Sequence, residues 1–321
     1  MTRLTEGTLE HLIELDYIID SFSKTKVRKM KPMIRSILRM SVYQIKYMDS
    51  VPDSAVCNEA VKLAKRHGFG QLSGFVNGVL RNISRNISDV RYPDQKDMVR
   101  FLEVKYSMPQ WIVKQWINDY GMEKTEQILK GFDREKPLSI RTNTLKCTPE
   151  ELRNKLKAEG VTVEPVKDLD YAFYISGFDY LNGLQSFEDG LFYVQDVSSM
   201  MAAELAAPEE NDYVIDVCAA PGGKSTHLAE KLKGTGMVEA RDLTDYKVDL
   251  IRDNIDRHEL HNMKAVLMDA TSYDEASANK ADVLICDLPC SGLGVLGRKT
   301  DIRYKISPAG KGAYGASETD T

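Results

Sequence analysis

The sequence lacks the features that mark a secreted, membrane-spanning or generally basic protein. Its five cysteines are odd in number and scattered, which argues against a disulfide scaffold and for a reducing compartment. No stretch approaches the ~18 consecutive apolar residues of a membrane span, and the N-terminus has no apolar signal segment. The net charge of -5 gives no global signature of nucleic-acid binding. We therefore expect a cytoplasmic protein without a membrane partner.

The N-terminal part of the chain has the pattern of a helical bundle. Hydrophobic content of 42% and charged content of 28% are those of a globular protein, and 321 residues suffice for more than one domain. Ile34, Ile37, Leu38 and Val42 repeat at helical spacing, and "TEGTLEHLIELDYIIDSF" predicts one helix that opens with Thr5. Residues from about 5 to 86 are predicted to be helical.

A polar segment with a proline, "SDVRYPDQ", separates this bundle from the rest of the chain. Three short helical patterns follow, up to about residue 133. The next patterns are mixed, because "PLSIRTNTL" and "VTVEPV" are typical of strands, whereas "TPEELRNKLKAEG" is typical of a capped helix. The middle of the chain is thus predicted to contain both helices and strands.

From about Val194, apolar runs alternate with helical patterns. The runs lie at Tyr213–Val217, Met237–Ala240, Lys264–Met268 and Asp282–Cys286. Such alternation is typical of a parallel, doubly wound α/β sheet. The predicted fold is therefore multidomain: an all-α bundle followed by an α/β Rossmann-like domain.

The stretch "CAAPGGK" falls in the first strand-to-helix turn of this sheet. Glycines there let a ligand approach the backbone, and the helix N-terminus supplies free N–H groups. One interpretation is a P-loop nucleotide site, because "GGKS" matches the end of that motif and "VLICD" resembles its metal-holding strand. The match fails at Cys218, where the P-loop needs its first glycine.

The second interpretation is a site for an adenosine-containing cofactor. Asp242 follows the turn by about 20 residues, where such sites place an acid that binds ribose hydroxyls. Asp269 and Asp287 end the next two strands. Three acids at consecutive strand ends suit a ribose and a base, and they would repel a triphosphate. Each acid taken singly could equally be a helix cap or a surface charge.

Longer motifs then add a family resemblance. The segments "DVCAAPGGKSTHLAE", "ARDLTDYKV", "MDATSYD" and "DLPCSGLGVLGRKTDIRY" resemble the RNA (cytosine-5) methyltransferases that use S-adenosylmethionine. The N-terminal "DSVPDSAVCNEAVKLAKRHGFGQLSGFVNGVLRNI" is similar to a NusB-like RNA-binding domain. The resemblance covers about residues 1–305. It implies S-adenosylmethionine as cofactor and methylation of C5 of a cytosine in 16S rRNA.

The resemblance also implies a domain order. We expect a NusB-like helical RNA-binding domain in residues 1–88 and a helical and α+β pre-catalytic linker domain in residues 94–190. A partial Rossmann-like methyltransferase domain, with an incomplete parallel sheet, is expected in residues 191–305. Residues 306–321 leave the family pattern and are expected to form an aberrant tail. The match begins close to Met1, where such bundles normally have further helices, so truncation at that end is expected too.

Site residues follow from the family's motifs. The expected cofactor-binding residues are Cys218, Ala219, Ala220, Pro221, Gly222, Gly223, Lys224, Asp242, Asp269 and Asp287. Cys290 matches the cysteine that aids product release, and Asp287 is expected at the cytosine edge. The family's attacking cysteine follows a fifth strand, and no cysteine follows Cys290 here. We therefore expect an inactive or impaired fragment, destabilised by a bare sheet edge at the fourth strand.

A basic stretch offers a candidate RNA contact. It comprises Lys24, Lys26, Arg28, Lys29 and Lys31. A solvated charged face is the alternative for these residues, and a non-catalytic RNA-binding protein is the alternative for the whole chain. His258 and His261 have no third ligand nearby, so no metal site is expected. We expect a monomer whose macromolecular partner is 16S rRNA.

Overall fold

The computed structural model describes residues 2–132, 137–290, 292–297 and 301–306. Its contacts divide the chain into two compact units. The first unit contains residues 1–135 and 290–321, and the second contains residues 136–289.

The first unit begins with a bundle of helices. Its helices up to residue 132 are α1 (Thr2–Glu10), α2 (Leu12–Phe22), α3 (Pro32–Tyr47), α4 (Asp53–Arg66), α5 (Ser73–Asn86), α6 (Met98–Lys105), α7 (Gln110–Tyr120) and α8 (Met122–Phe132). Ile34, Ile37, Leu38 and Val42 are buried, as the spacing on α3 predicts. The single helix predicted from Thr5 was wrong, because the chain interrupts it at His11, between α1 and α2.

One buried carboxylate joins α2, α3 and the segment after α5. Glu14 lies 2.9 Å from Nζ of Lys46 and accepts hydrogen bonds from the hydroxyls of Tyr47 and Tyr92. Nδ1 of His11 lies 3.5 Å from Oε2 of Glu14. Burial by itself would raise the pKa of Glu14, but these contacts outweigh it and lower the pKa from 4.5 to about 2.

The second unit contains two four-stranded sheets. Its elements are β1 (Leu138–Thr142), α9 (Pro149–Ala158), β2 (Thr162–Val166), β3 (Leu169–Ser176), α10 (Gln185–Glu188), β4 (Phe192–Val194), α11 (Val197–Ala206), β5 (Tyr213–Asp216), α12 (Gly223–Lys231), β6 (Met237–Asp242), α13 (Asp245–His258), β7 (Met263–Leu267) and β8 (Val283–Ile285).

One sheet is antiparallel, with the strand order β2-β3-β1-β4. The sequence predicted β1 and β2 but missed β3 and β4. Thr148 caps α9 with a reciprocal capping box to Glu151, which explains why the helix starts there. Ile140, Phe173 and Phe192 form part of the core that α9 covers with Leu152 and Leu156.

The other sheet is parallel, with the strand order β7-β6-β5-β8. Val214, Val238 and Ala240 pack against Leu228 of α12 and Ile251 of α13. This arrangement confirms the predicted Rossmann-like α/β domain. Because all four strands run the same way, the segments after β5, β6, β7 and β8 all leave the sheet at the C-terminal ends of the strands. Ligand sites of this fold class form there.

Strand β8 is an outer strand of this sheet within the described residues, as the sequence predicted for the fourth strand. The Leu284 side chain in its centre is 58% exposed. An outer parallel strand with an exposed leucine is a site where further apolar contacts would add stability.

The last described segment belongs to the first unit. Its helix, α14 (Ile302–Lys305), carries Arg303, whose guanidinium donates to the carbonyls of Glu10, Ser107 and Leu296 at 3.2, 3.4 and 3.1 Å. Leu296 is buried with the apolar residues of α6, α7 and α8. The segment "DIRY", which ends the long motif that follows β8, is therefore part of that core. Among the described residues, no helix is both long and apolar enough to cross a membrane.

The Glu14 cluster predicts a pH-dependent stability of the first unit. Because the folded pKa of Glu14 lies below its ordinary value, its contribution is present above about pH 4.5 and is lost as pH falls towards 2. The change Glu14→Gln should lower the free energy of unfolding by about 3 kcal/mol at neutral pH and by much less at pH about 3. Denaturant titration followed by tryptophan fluorescence measures this, since both tryptophans lie in the first unit.

Glu59→Gln is the matched control for that experiment. Glu59 pairs with Lys62 on the surface of α4, and both side chains are exposed, so its loss should cost less than about 1 kcal/mol. Equal effects of the two substitutions, or a Glu14→Gln effect that does not shrink on acidification, would contradict the assignment.

Candidate functional site

The glycine turn joins β5 to α12, where the sequence placed it. The helix α12 starts at Gly223, within the stretch "CAAPGGK". Gly222 has a φ of +103°, a conformation that strongly favours glycine. A side chain built on Gly223 would meet nothing within 4 Å, so the start of α12 faces open space. Backbone N–H groups at this helix start are available to an anionic group of a ligand.

Three contacts hold the turn in place. The backbone N–H of Ala220 donates to Oδ2 of Asp242 at 3.0 Å. The N–H of Ala219 donates to the carbonyl of Arg241 at 2.8 Å, and Nδ2 of Asn254 donates to the carbonyl of Pro221 at 2.8 Å. The turn is therefore bound to the end of β6 and to α13 as well as to its own strand and helix.

Asp216 and Ser225, on either side of the turn in the sequence, are joined by a hydrogen bond. The sequence predicted no role for either residue. Asp216 ends β5 and is buried, and its Oδ2 accepts a hydrogen bond of 2.6 Å from Oγ of Ser225. Burial raises the pKa of Asp216. The sequence pattern that could have identified this pair is an acid at the end of an apolar run, followed nine residues later by a serine in the next helix.

The Asp242 carboxylate accepts a hydrogen bond from the glycine turn, at Ala220. It is buried, and besides Ala220 it accepts from the backbone N–H of Leu243 at 2.8 Å. Nζ of Lys247 lies 3.5 Å from Oδ1. The structure thus brings the predicted Ala220 and Asp242 together.

Asp269 lies two residues beyond the end of β7 and is exposed. Its Oδ1 accepts hydrogen bonds from the backbone N–H and the hydroxyl of Thr271, at 2.8 and 2.7 Å. These bonds lower the pKa of Asp269, so it is a carboxylate at neutral pH. Both contacts lie within its own loop.

Asp287 and Lys224 form an ion pair across the strand ends. Nζ of Lys224 lies 2.5 Å from Oδ2 of Asp287, and the Asp287 side chain is 58% exposed. The lysine that a P-loop would direct to phosphates is engaged by a carboxylate here. Together with Asp216 and Asp242, this makes the surroundings of the turn acidic and unfavourable for a triphosphate.

Cys218 is the cysteine of the glycine turn itself. Burial, and then the nearby Asp242 and Asp216, raise the pKa of the Cys218 thiol, so it stays protonated at neutral pH. A protonated thiol is a weak nucleophile, which fits Cys218 as a lining residue. Cys286 and Cys290 are exposed, and Cys290 falls in the first unit.

The predicted basic stretch is a solvent-exposed surface of the first unit. Lys24, Lys26, Arg28, Lys29 and Lys31 are all exposed, around a single turn of 3-10 helix at Val27–Lys29. Nζ of Lys26 donates to the carbonyl of Asp20 at 2.8 Å. The surface is accessible to a polyanion.

Histidine positions do not form a metal site in the described part of the chain. His258 is buried, its ring is stacked on Tyr193, and its Nδ1 lies 3.1 Å from the carbonyl of Gly190. Burial lowers the pKa of His258 to about 3, so it is neutral. Within those same ranges, no group of three or more His, Cys, Asp or Glu side chains could hold a metal ion.

Comparison with protein families divides the chain into three matches. Residues 1–85 match the NusB family. Residues 108–178 match the ferredoxin-like domain described as "Methyltr_RsmF/B-like", and residues 203–312 match "16S rRNA methyltransferase RsmB/F".

Curated relatives match over most of the chain. "Probable ribosomal RNA small subunit methyltransferase B" of Bacillus subtilis (strain 168) is 39% identical over 311 residues, which cover 96% of this chain and 68% of that protein. The protein of the same name from Synechocystis sp. (strain ATCC 27184 / PCC 6803 / Kazusa) is 31% identical over 310 residues, covering 96% and 69%.

Two solved structures are similar in fold. "Crystal Structure of PH0851" has a TM-score of 0.78 at 24% identity and covers 97% of this chain and 70% of that chain. "The crystal structure of NSun6 from Pyrococcus horikoshii with SFG" has a TM-score of 0.52 at 25% identity, covering 58% and 71%. At this level of identity, the first of these shows the fold alone.

Proposed function

The chain belongs to the ribosomal RNA small subunit methyltransferase B family, and on that premise we propose that it binds S-adenosylmethionine at the glycine turn and serves methylation of C5 of a cytosine in 16S rRNA. The observation that carries the proposal is the closure of the turn on the Asp242 carboxylate beside the open face of Gly223. This geometry offers backbone donors and a carboxylate acceptor at the same sheet edge.

The residues present suit S-adenosylmethionine. The open helix start at Gly223 would receive the carboxylate of its methionine part, because free N–H groups point there. Asp242 would accept from the ribose hydroxyls, and Asp269 from the amino group of the adenine. The similar NSun6 structure contains SFG, an analogue of this cofactor.

The same residues disfavour the P-loop alternative. A triphosphate would need Lys224, whose ammonium is paired with Asp287 at 2.5 Å. It would also add negative charge beside Asp216 and Asp242. We therefore retain nucleotide triphosphate binding only as an outcome of the experiments below.

The proposed reaction requires help from thiols because C5 of cytosine is a poor nucleophile. A thiolate adds to C6, which makes C5 electron-rich; the bound cofactor supplies the methyl group. A base then removes the C5 proton, and the electron pair of that bond expels the thiolate. By motif, Cys290 is proposed to aid release of the methylated product, and Asp287 to bind the cytosine edge.

Cofactor binding tests the first half of the proposal. Calorimetric titration should show that the chain binds S-adenosylhomocysteine and not ATP. Asp242→Asn keeps an oxygen for Ala220 but removes the charge, so affinity should fall about 10- to 100-fold, as for a lost charged hydrogen bond. The exposed Asp253→Asn on α13 is the control and should leave affinity unchanged.

The other outcomes of that titration assign other functions. Binding of ATP without S-adenosylhomocysteine would support the nucleotide alternative. Binding of rRNA with neither small molecule would support a non-catalytic RNA-binding protein. Equal losses in Asp242→Asn and Asp253→Asn would refute the role of Asp242.

Turnover by these residues tests the second half. The 321 residues contain no cysteine after Cys290, so the family's attacking cysteine has no counterpart among them. Assayed by itself with radiolabelled S-adenosylmethionine and unmodified small-subunit rRNA, the chain should give no repeated cytosine methylation. Binding of S-adenosylhomocysteine by the same preparation is the control for a folded site. Robust incorporation at a cytosine would contradict the expectation.

We propose that the basic stretch at residues 24–31 contacts rRNA phosphates. The double change Lys29→Glu and Lys31→Glu should weaken binding of a 16S rRNA fragment and reduce the slope of log affinity against log salt by about 1 to 2. Lys114→Glu with Lys124→Glu, both exposed, changes the net charge equally and is the control. Equal effects of the two doubles would assign the effect to total charge.

A further inference from the structure

A buried arginine of the antiparallel sheet contacts the helix that follows the glycine turn. Arg141 lies in β1 and is fully buried. Its Nη1 forms an ion pair with Glu230 of α12, which is also buried. Arg141 and Glu230 are 89 positions apart in the sequence, and the pair joins β1 of the antiparallel sheet to α12, the helix that follows β5.

The remaining guanidinium contacts fix the orientation of Arg141. Its Nε donates to Oε1 of Gln195 at 2.7 Å. Its Cζ lies 4.0 Å from the centre of the Tyr193 ring, a cation–π distance. Gln195 is itself held by Ser139, whose hydroxyl donates to the Gln195 carbonyl at 2.7 Å. Because the planar guanidinium is held by contacts on three sides, its orientation is fixed.

Two hydrogen bonds connect this guanidinium to the glycine turn. Nη2 of Arg141 donates to Oγ1 of Thr226 at 3.0 Å. The Thr226 hydroxyl then donates to the carbonyl of Gly223 at 3.1 Å, and its backbone N–H donates to the carbonyl of Gly222 at 2.8 Å. Because an arginine can only donate, the hydroxyl proton of Thr226 is directed to Gly223.

Stability alone does not account for such a pair. Two buried charges lose their hydration, and an apolar pair of similar volume is often as stable or more stable. Burial raises the pKa of Glu230, which the charge of Arg141 opposes, so the pair carries a real desolvation cost. The geometric contribution is specific, since the chain of contacts ends at the two glycines of the turn.

We propose that Arg141 is a positioning residue for the cofactor turn, acting through Thr226 on the carbonyl of Gly223. In this arrangement the antiparallel sheet determines where the first turn of α12 lies, and hence where the free N–H groups of that turn point. The inference rests on the proposed function, because S-adenosylmethionine is the ligand whose binding it affects.

Thr226 provides the sharpest test, because two substitutions separate hydrogen bonding from shape. Thr226→Val keeps the volume but removes the hydroxyl, and it should weaken S-adenosylhomocysteine binding about 10-fold, the lower end for a lost supporting contact. Thr226→Ser keeps the hydroxyl and should bind like the wild type. Hydrogen exchange of the ligand-free protein should be faster over residues 222–227 in Thr226→Val only.

The double change Arg141→Met and Glu230→Leu separates positioning from stability. It removes both buried charges together, so the thermal midpoint should stay within a few degrees of the wild type or rise. Binding of S-adenosylhomocysteine should nevertheless weaken about 10-fold. The exposed ion pair of Lys155 and Asp189 is the control, and Lys155→Met should change neither quantity.

The outcomes distinguish this inference from the proposed function. No binding of S-adenosylhomocysteine by the wild-type chain would overturn the proposed function. Wild-type binding that is unchanged in a folded Thr226→Val protein would overturn the positioning role alone. If the double variant does not fold, the pair is required for stability, and Thr226→Val compared with Thr226→Ser still decides the matter.

Discussion

The interaction that links the turn to a predicted cofactor acid is the hydrogen bond from the backbone N–H of Ala220 to the carboxylate of Asp242 at 3.0 Å, and two further contacts hold the turn beside it. This hydrogen bond closes the turn after β5 onto the end of β6. The parallel register pairs Asp216, the last residue of β5, with Ala240, so Asp242 at the end of β6 extends two residues further and can meet the turn that follows β5. A turn with a positive φ at Gly222 can meet an acid there because the sheet fixes both partners. The acidic surroundings are the reason why we propose that this turn does not bind a triphosphate, although it resembles a phosphate loop.

Much of the fold could be predicted because it is encoded in local periodicity. The runs that became β5, β6, β7 and β8 are largely apolar and alternate with helical patterns, as strands of a parallel α/β sheet do, and helical spacing marked α3. Strands β3 and β4 were missed: β3 mixes apolar and polar residues, and β4 has three residues, too few for a period. The helix break at His11 carries no glycine or proline to announce it.

The candidate site could be derived from the sequence only where local pattern places its residues. Strand ends identified Asp242, Asp269 and Asp287, because acids after parallel strands lie at one edge. The supports of the turn are long-range contacts, such as Arg141 to Thr226, and no spacing rule connects residues 85 positions apart. Asp216 and Ser225 are closer, but their partnership depends on how α12 packs on β5.

The central claim is that the turn and the strand-end acids form one cofactor site. Hydrogen–deuterium exchange of the whole chain, with and without S-adenosylhomocysteine, measures it most directly. The account predicts slower exchange in peptides covering residues 217–226, 242–247 and 269–272, with no such change on adding ATP. Absence of protection at the turn, or protection by ATP instead, would contradict it.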